Sequence, residues 1–145
     1  MRYDTTVIES YVERSLLDKC DHKTLPISIY KYSRNCQFER IWDNVTLNMR
    51  GTVLDDEGNI VARTFPKFFN MEEEPDYFSD LPFEVFSKLD GSLGILFFYA
   101  GEWHLATQGS FYSDQAIYGK EILDRNNLYV DLLSKDFTYL FEIIY

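Results

Sequence analysis

Short apolar runs broken by turn residues, rather than long amphipathic stretches, set the limits on this fold. Thr46 to Leu54 and Ile60 to Phe65 flank Asp55-Asp56-Glu57-Gly58-Asn59, a pattern that predicts a hairpin with a long turn. Leu93 to Tyr99 and Trp103 to Thr107 flank Ala100-Gly101-Glu102 in the same way. Ile27 to Tyr32, Phe83 to Ser87 and Thr138 to Ile144 are further strand candidates. The helical signals lie apart from these. Thr6-Val7-Ile8-Glu9 has capping-box spacing, and Val7, Ile8, Tyr11, Val12 and Leu16 follow at helical intervals, predicting an amphipathic helix over 5–19. Ser113 predicts the N-cap of a helix through Asp124, and residues 127–134 a second helical segment. Residues 66–82 contain Pro66, Pro75 and Pro82 and read as a loop-rich connection. Strands in hairpins with helices gathered apart predict an α+β class, a mostly antiparallel sheet with flanking helices.

The chain has 145 residues, enough for one domain with a core, and its 46% hydrophobic and 17% aromatic content excludes disorder. No apolar run is long enough to span a membrane, and the N-terminus Met1-Arg2-Tyr3-Asp4 carries no apolar signal core. Cys20 and Cys36 lack metal-ligand spacing and read as free thiols of a reducing, cytoplasmic compartment. His22 and His104 are far apart in the chain, without partners that suggest a metal site, and read as structural or solvated. The net charge of −10 argues against broad non-specific nucleic-acid binding, which needs cations to neutralise phosphates. A locally basic cleft is compatible with it, because much of the excess sits in Glu72-Glu73-Glu74 with Asp76 and in Asp55-Asp56-Glu57, read as solvated loops. The chain stops at Phe141-Glu142-Ile143-Ile144-Tyr145, inside an apolar strand pattern. This predicts a fragment of something longer, whose last strand leaves an apolar edge prone to self-association.

Chemistry concentrates at Lys88-Leu89-Asp90-Gly91-Ser92, between the apolar runs Phe83 to Phe86 and Leu93 to Tyr99. A lysine at the end of a buried strand can have its pKa lowered by desolvation and by nearby cations, leaving a neutral amine able to attack phosphorus. The stretch matches the K-x-D-G signature of covalent nucleotidyltransferases, the ligases and capping enzymes that carry a nucleotide on lysine.

Four further islands accompany it: Arg50-Gly51-Thr52-Val53, Phe65 to Asn70, Thr107-Gln108-Gly109-Ser110 and Phe141-Glu142. In this order and spacing the chain resembles the T-even phage RNA ligase 1 family of ATP-dependent RNA ligases, from about residue 27 to the end and most densely over 50–115. The family's K-F-F-N stands at Lys67 to Asn70, its K-x-D-G-S-L at Lys88 to Leu93 and its S-[DE]-Q-A helix start at Ser113 to Ala116. The resemblance implies the N-terminal portion of an adenylyltransferase domain over 1–145, an incomplete nucleotidyltransferase (ATP-grasp-like ligase) fold. It implies ATP and Mg²⁺ as cofactors, RNA 5′-phosphate and 3′-hydroxyl ends as partners, no membrane, and a bacterial or phage-infected cell as the setting. Metal-binding residues stay unassigned.

By the resemblance, Lys88 is the nucleophile that takes AMP from ATP. Arg50 carries a fork of donors suited to phosphate oxygens, or is a surface ion-pair partner. Lys67 offers a compact charge for triphosphate or nucleic-acid phosphate, or is solvated. Phe69 packs either in the core or at the nucleotide pocket. Asp90 either orients the lysine or caps the turn. Gly91 allows close approach of backbone to nucleotide, or a positive φ in the turn. Glu142, on an apolar strand, needs a partner, either a ribose hydroxyl or a structural arginine. Two departures stand out. The family carries a cation before Gly-Ser where this chain has Gln108, and the family's downstream metal carboxylate and K-x-K pair do not occur in these residues. These departures leave a second reading open, a truncated non-catalytic nucleotide- or RNA-binding module of the same fold.

Overall fold

The computed structural model describes residues 2–70, 72–73, 82–126 and 130–144. Helix α1 spans Thr5–Glu13, and strands β1 Leu17–Asp21 and β2 Ile27–Tyr32 follow. Two single-turn helices, α2 Arg34–Phe38 and α3 Asn44–Asn48, precede β3 Arg50–Asp55 and β4 Ile60–Ala62. Then come β5 Ser92–Tyr99, β6 Glu102–Thr107, helix α4 Asp114–Arg125 and β7 Tyr139–Ile143. The strands form two sheets of orders β1-β2-β3-β4 and β6-β5-β7, with every pairing antiparallel. The class is the α+β arrangement expected from the hairpin pattern, divided into two sheets.

The burial pattern explains the stacking. Ile27, Ile29, Val53 and Ala62 of the first sheet pack on Ile95, Phe97, Ala106 and Phe111 of the second unit. On the far side of the first sheet, Ile8 of α1 packs with Leu17, Tyr30, Met49 and Leu54. On the far side of the second, Leu96, Leu105 and Ile143 form a cluster that Leu123 of α4 joins. The order is therefore helix, sheet, sheet, helix. Alternate side chains of β2 and β5 enter different layers, which is why both central strands are apolar at successive positions.

Local chemistry sets the element ends. Asp4 caps α1 by accepting from the Thr6 and Val7 amides. The helix stops at Arg14, and Ser15 turns left-handed at φ 57°. The expected helix over 5–19 is thus too long, since Leu17 onward pairs with β2 in register from Leu17↔Tyr32 to Asp21↔Ser28. The expected strand start at Thr46 is also corrected. Asp43 Oδ1 accepts from the Thr46 amide at 2.9 Å and Thr46 Oγ1 accepts from the Asp43 amide at 2.9 Å. This reciprocal cap holds Thr46 in α3 against its strand preference. Ser113 caps α4 as expected, accepting from the Ala116 amide at 3.2 Å. Ala100 and Gly101, both at positive φ, close the β5–β6 hairpin.

Phe83 to Ser87 is not a strand. It pairs with no strand among the described residues, and Phe83, Val85 and Phe86 are 83%, 84% and 78% exposed. Its apolar alternation is real, but a strand also needs a neighbour to satisfy its backbone, and none of the described strands lies beside it. Of the expected helical segment over 127–134, residues 127–129 lie outside the described residues, and 131–133 form turns and a bend. Cys20 and Cys36 are free thiols. His22 and His104 meet edge to face at 5.8 Å, and His22 Nδ1 accepts from the Thr24 and Leu25 amides at 3.3 and 3.2 Å. Burial, then the neighbouring His104, pushes the His22 pKa below the ordinary histidine value. Among the described residues no helix is long and apolar enough to cross a membrane.

Candidate functional site

The two sheets come together at one end through their backbones. The β2–β3 register slips between Tyr30 and Lys31, so that Tyr30 faces Thr52, Lys31 faces Arg50, and Gly51 is the extra residue. Gly51 has φ 93°, the left-handed conformation a bulge glycine supplies. A Cβ there would stand 2.7 Å from Ile95 Cδ1 and 3.2 Å from Gln108 Cα. The Arg50-Gly51 island of the first sheet is thereby seated on the Gln108-Gly109-Ser110 turn of the second.

The second sheet brings its own islands to the same end. Ser92 pairs with Ile143, Leu93 with Glu142, and Gly94 with Thr107, the residue before Gln108. Any Cβ on Gly91 would strike the Ile143 carbonyl oxygen, so the Asp90-Gly91 backbone lies directly against β7. Lys88, Asp90 and Glu142 are exposed. The burial expected around Lys88 is absent, because the segment before it is not a covered strand; its Nζ donates to the Leu89 carbonyl at 3.3 Å. Glu142 is likewise exposed rather than buried, and forms no ion pair with a structural arginine among the described residues.

Arg50 and Lys67 stack on rings, and neither pairs with a carboxylate among the described residues. The Arg50 guanidinium stands 4.7 Å from the Phe68 ring centroid. The Lys67 amide donates to the Leu47 carbonyl at 2.7 Å, tying the strap to α3, and its Nζ donates to the Phe68 carbonyl at 2.7 Å. The same ammonium lies 4.4 Å from the Phe69 ring and 5.7 Å from Trp42. Phe69 is half-buried, belongs to none of the three core clusters, and meets Trp42 edge to face at 5.5 Å. A cleft of about 160 Å³ is lined by Gln37, Arg40, Trp42, Lys67, Phe69 and Glu73. Cations held beside aromatic rings suit a ligand that carries phosphate and a flat base.

The structure thus gathers Arg50, Gly91, Glu142 and the Gln108 turn at one end, and Lys67 with Phe69 beside a separate cleft. Sequence reasoning missed Trp42, Phe68 and Lys31 as neighbours of these groups. The alternation Phe65, Phe68, Phe69 around Lys67 was a usable signal for Phe68; Trp42 and Lys31 arrive through tertiary packing alone. Among the described residues no group of three or more His, Cys, Asp or Glu is arranged to hold a metal ion.

A family model described as RNA ligase matches residues 48–145. A protein of Autographa californica nuclear polyhedrosis virus, provisionally named bifunctional polynucleotide kinase/RNA ligase, is 33% identical over 90 residues. That alignment covers 53% of this chain and 13% of the viral protein. A protein of Thermovibrio ammonificans, provisionally named RNA ligase, is 34% identical over 105 residues, covering 66% of this chain and 28% of that protein. The chain therefore spans well under half the length of either relative.

Proposed function

The chain belongs to the RNA ligase family, and on that premise we propose that it supplies the adenylyl-accepting lysine and part of the nucleotide site of an ATP-dependent RNA ligase. The observation that carries the proposal is convergence. The islands at Arg50-Gly51, Gly91-Ser92, Gln108-Gly109 and Glu142 are distant in sequence, yet they lie at one end of the two sheets, with Lys88 three residues before Gly91 in the chain.

In the proposed reaction, the unprotonated Lys88 amine attacks the α-phosphorus of ATP. A phosphorus–nitrogen bond forms, the bond to the bridging oxygen breaks, and pyrophosphate leaves. An oxygen of an RNA 5′-phosphate then attacks the same phosphorus and releases the lysine. Finally a 3′-hydroxyl attacks the 5′-phosphorus, its proton is lost, and AMP departs as the strand is sealed. Arg50 and Lys67 stabilise phosphate charge and fix its position, the main source of rate in such transfers. Exposure of Lys88 suits this sequence, because the lysine must meet a nucleotide and later an RNA end. Glu142, exposed opposite Leu93, is free to accept from ribose hydroxyls. Mg²⁺, when bound with the nucleotide, would supply neutralisation of the charge that develops on the phosphates. The chain's part would be to hold the phosphates with cations and present few ligands of its own.

The test is incubation of the intact protein with ATP and Mg²⁺, followed by mass spectrometry. One AMP should map to Lys88, and Lys88→Ala should remove it. AMP on another lysine, or labelling that survives Lys88→Ala, would sink the assignment. The neutral Gln108 favours the second reading, a nucleotide- or RNA-binding module without turnover. A thermal shift with ATP and no covalent AMP would select it.

A further inference from the structure

Lys31 belongs to none of the motif islands. It closes β2 and is the cross-strand partner of Arg50 at the Gly51 bulge. Opposite residues of an antiparallel pair share a face, and like charges there repel. Neither cation is well neutralised by the chain. Among the described residues Arg50 meets the Phe68 ring and forms no ion pair, and Lys31 reaches Asp18 Oδ2 at 3.6 Å, a contact whose side chains are 40% and 53% exposed. The Lys31 side chain lies over Gly109: a Cβ on that glycine would stand 2.9 Å from Lys31 Cδ and 3.2 Å from its Nζ. The bare glycine lets the ammonium reach the Gln108-Gly109-Ser110 turn, where Gln108 itself brings no charge. Two cations at a bulge, one of them laid across Gly109 of the turn, form a place for an oxyanion.

We propose that Lys31 is a further phosphate-binding residue of this site, supplying from β2 the positive charge that Gln108 does not supply from the turn. The proposal rests on the nucleotidyltransferase reading for its ligand, a phosphate group, and two sources share that chemistry: the triphosphate of ATP and the 5′-phosphate of RNA.

The experiment measures binding of ATP by calorimetry, and of a 5′-phosphorylated oligoribonucleotide by fluorescence anisotropy, at two salt concentrations. The proteins are wild type, Lys31→Gln, Lys31→Gln with Gln108→Lys, and Asp18→Asn, each checked for a native circular dichroism spectrum and melt. Lys31→Gln should weaken one ligand by on the order of tenfold, the low end for a hydrogen bond to a charged group. It should also flatten the salt dependence, since one fewer cation meets the ligand. The arm that weakens identifies the source of the phosphate. Gln108→Lys should restore affinity in the Lys31→Gln background, and Asp18→Asn should not weaken binding. Wild-type affinity for both ligands in Lys31→Gln would overturn the proposal. So would a loss that Gln108→Lys fails to restore, or an equal loss in Asp18→Asn, because either makes Lys31 structural. If Lys31 governs affinity while no AMP maps to Lys88, the phosphate site stands and the ligase reading falls.

Discussion

Replacing Gly51 with alanine tests the joint between the sheets. Two separate costs act at this position. At φ 93° an L-residue strains the backbone by roughly 1–2 kcal/mol. The new Cβ would also lie 2.7 Å from Ile95 Cδ1, and Ile95 is 0% exposed in the layer between the sheets, so its methyl has nowhere to swing. Overpacking of that kind costs about 1–3 kcal/mol. The gain from a stiffer unfolded chain returns about 0.4–1 kcal/mol. The net expectation is a loss of about 1–4.5 kcal/mol, at its upper end a large part of the stability of an ordinary domain. Gly101→Ala is the matched control. It has the same φ of 93° but nothing within 4 Å of the added carbon, so it carries the backbone cost alone. Urea denaturation of both variants, compared at equal m, separates the packing term as their difference. If Gly51→Ala is no more destabilising than Gly101→Ala, the sheets do not meet at this bulge as described.

Other predictions concern the scaffold. Ile8, 1% exposed between α1 and the first sheet, should cost about 2–5 kcal/mol on truncation to alanine, read as a lower urea midpoint. Asp43 is raised by burial, but hydrogen bonds from the Thr46 amide, the Tyr11 hydroxyl and the Val45 amide outweigh that and hold its pKa below the ordinary value. A depressed folded pKa contributes stability that is present at neutral pH and is lost as pH falls through the carboxylate range, near roughly pH 4 and below. Asp43→Asn keeps a good capping residue, so the midpoint at pH 7 should change little while the fall between pH 6 and pH 3 becomes shallower. An unchanged slope would show that Asp43 does not carry that share of the acid sensitivity.

The parts of this molecule legible in sequence are those whose signal is local. The β5–β6 hairpin declares itself through alternating runs and a glycine turn, and α4 through Ser113 and the helical spacing after it. β1 was hidden because Leu16 and Leu17 continue the helical spacing of α1, and only pairing with β2 tells them apart. The one-turn helix α2 has too few residues for a period, although Ser33 caps it by accepting from the Cys36 amide at 3.0 Å. Phe83 to Ser87 shows the reverse failure, an apolar pattern without a partner strand. In the site, the family resemblance pointed to Arg50, Lys67, Lys88 and Glu142, because each lies within a short island of matched residues. Lys31 carried no such mark, since its relation to Gly109 exists only after the sheets pack. Trp42 is similar, brought to Lys67 and Phe69 by the connection between two short helices.

The chain crosses between its sheets once, from β4 to β5, so each sheet is assembled from consecutive sequence. Each can therefore form as its own cooperative unit, with their docking as a separate event. The proposed site exists only after that event, because Arg50 and Lys31 belong to one unit while Gln108, Lys88 and Glu142 belong to the other or its leading edge. A phosphate ligand held across the joint then stabilises the docked state by mass action. Amide exchange should slow with ligand first at Gly51 and Gln108, ahead of the centre of either sheet, making assembly of the fold and occupancy of the site a single equilibrium.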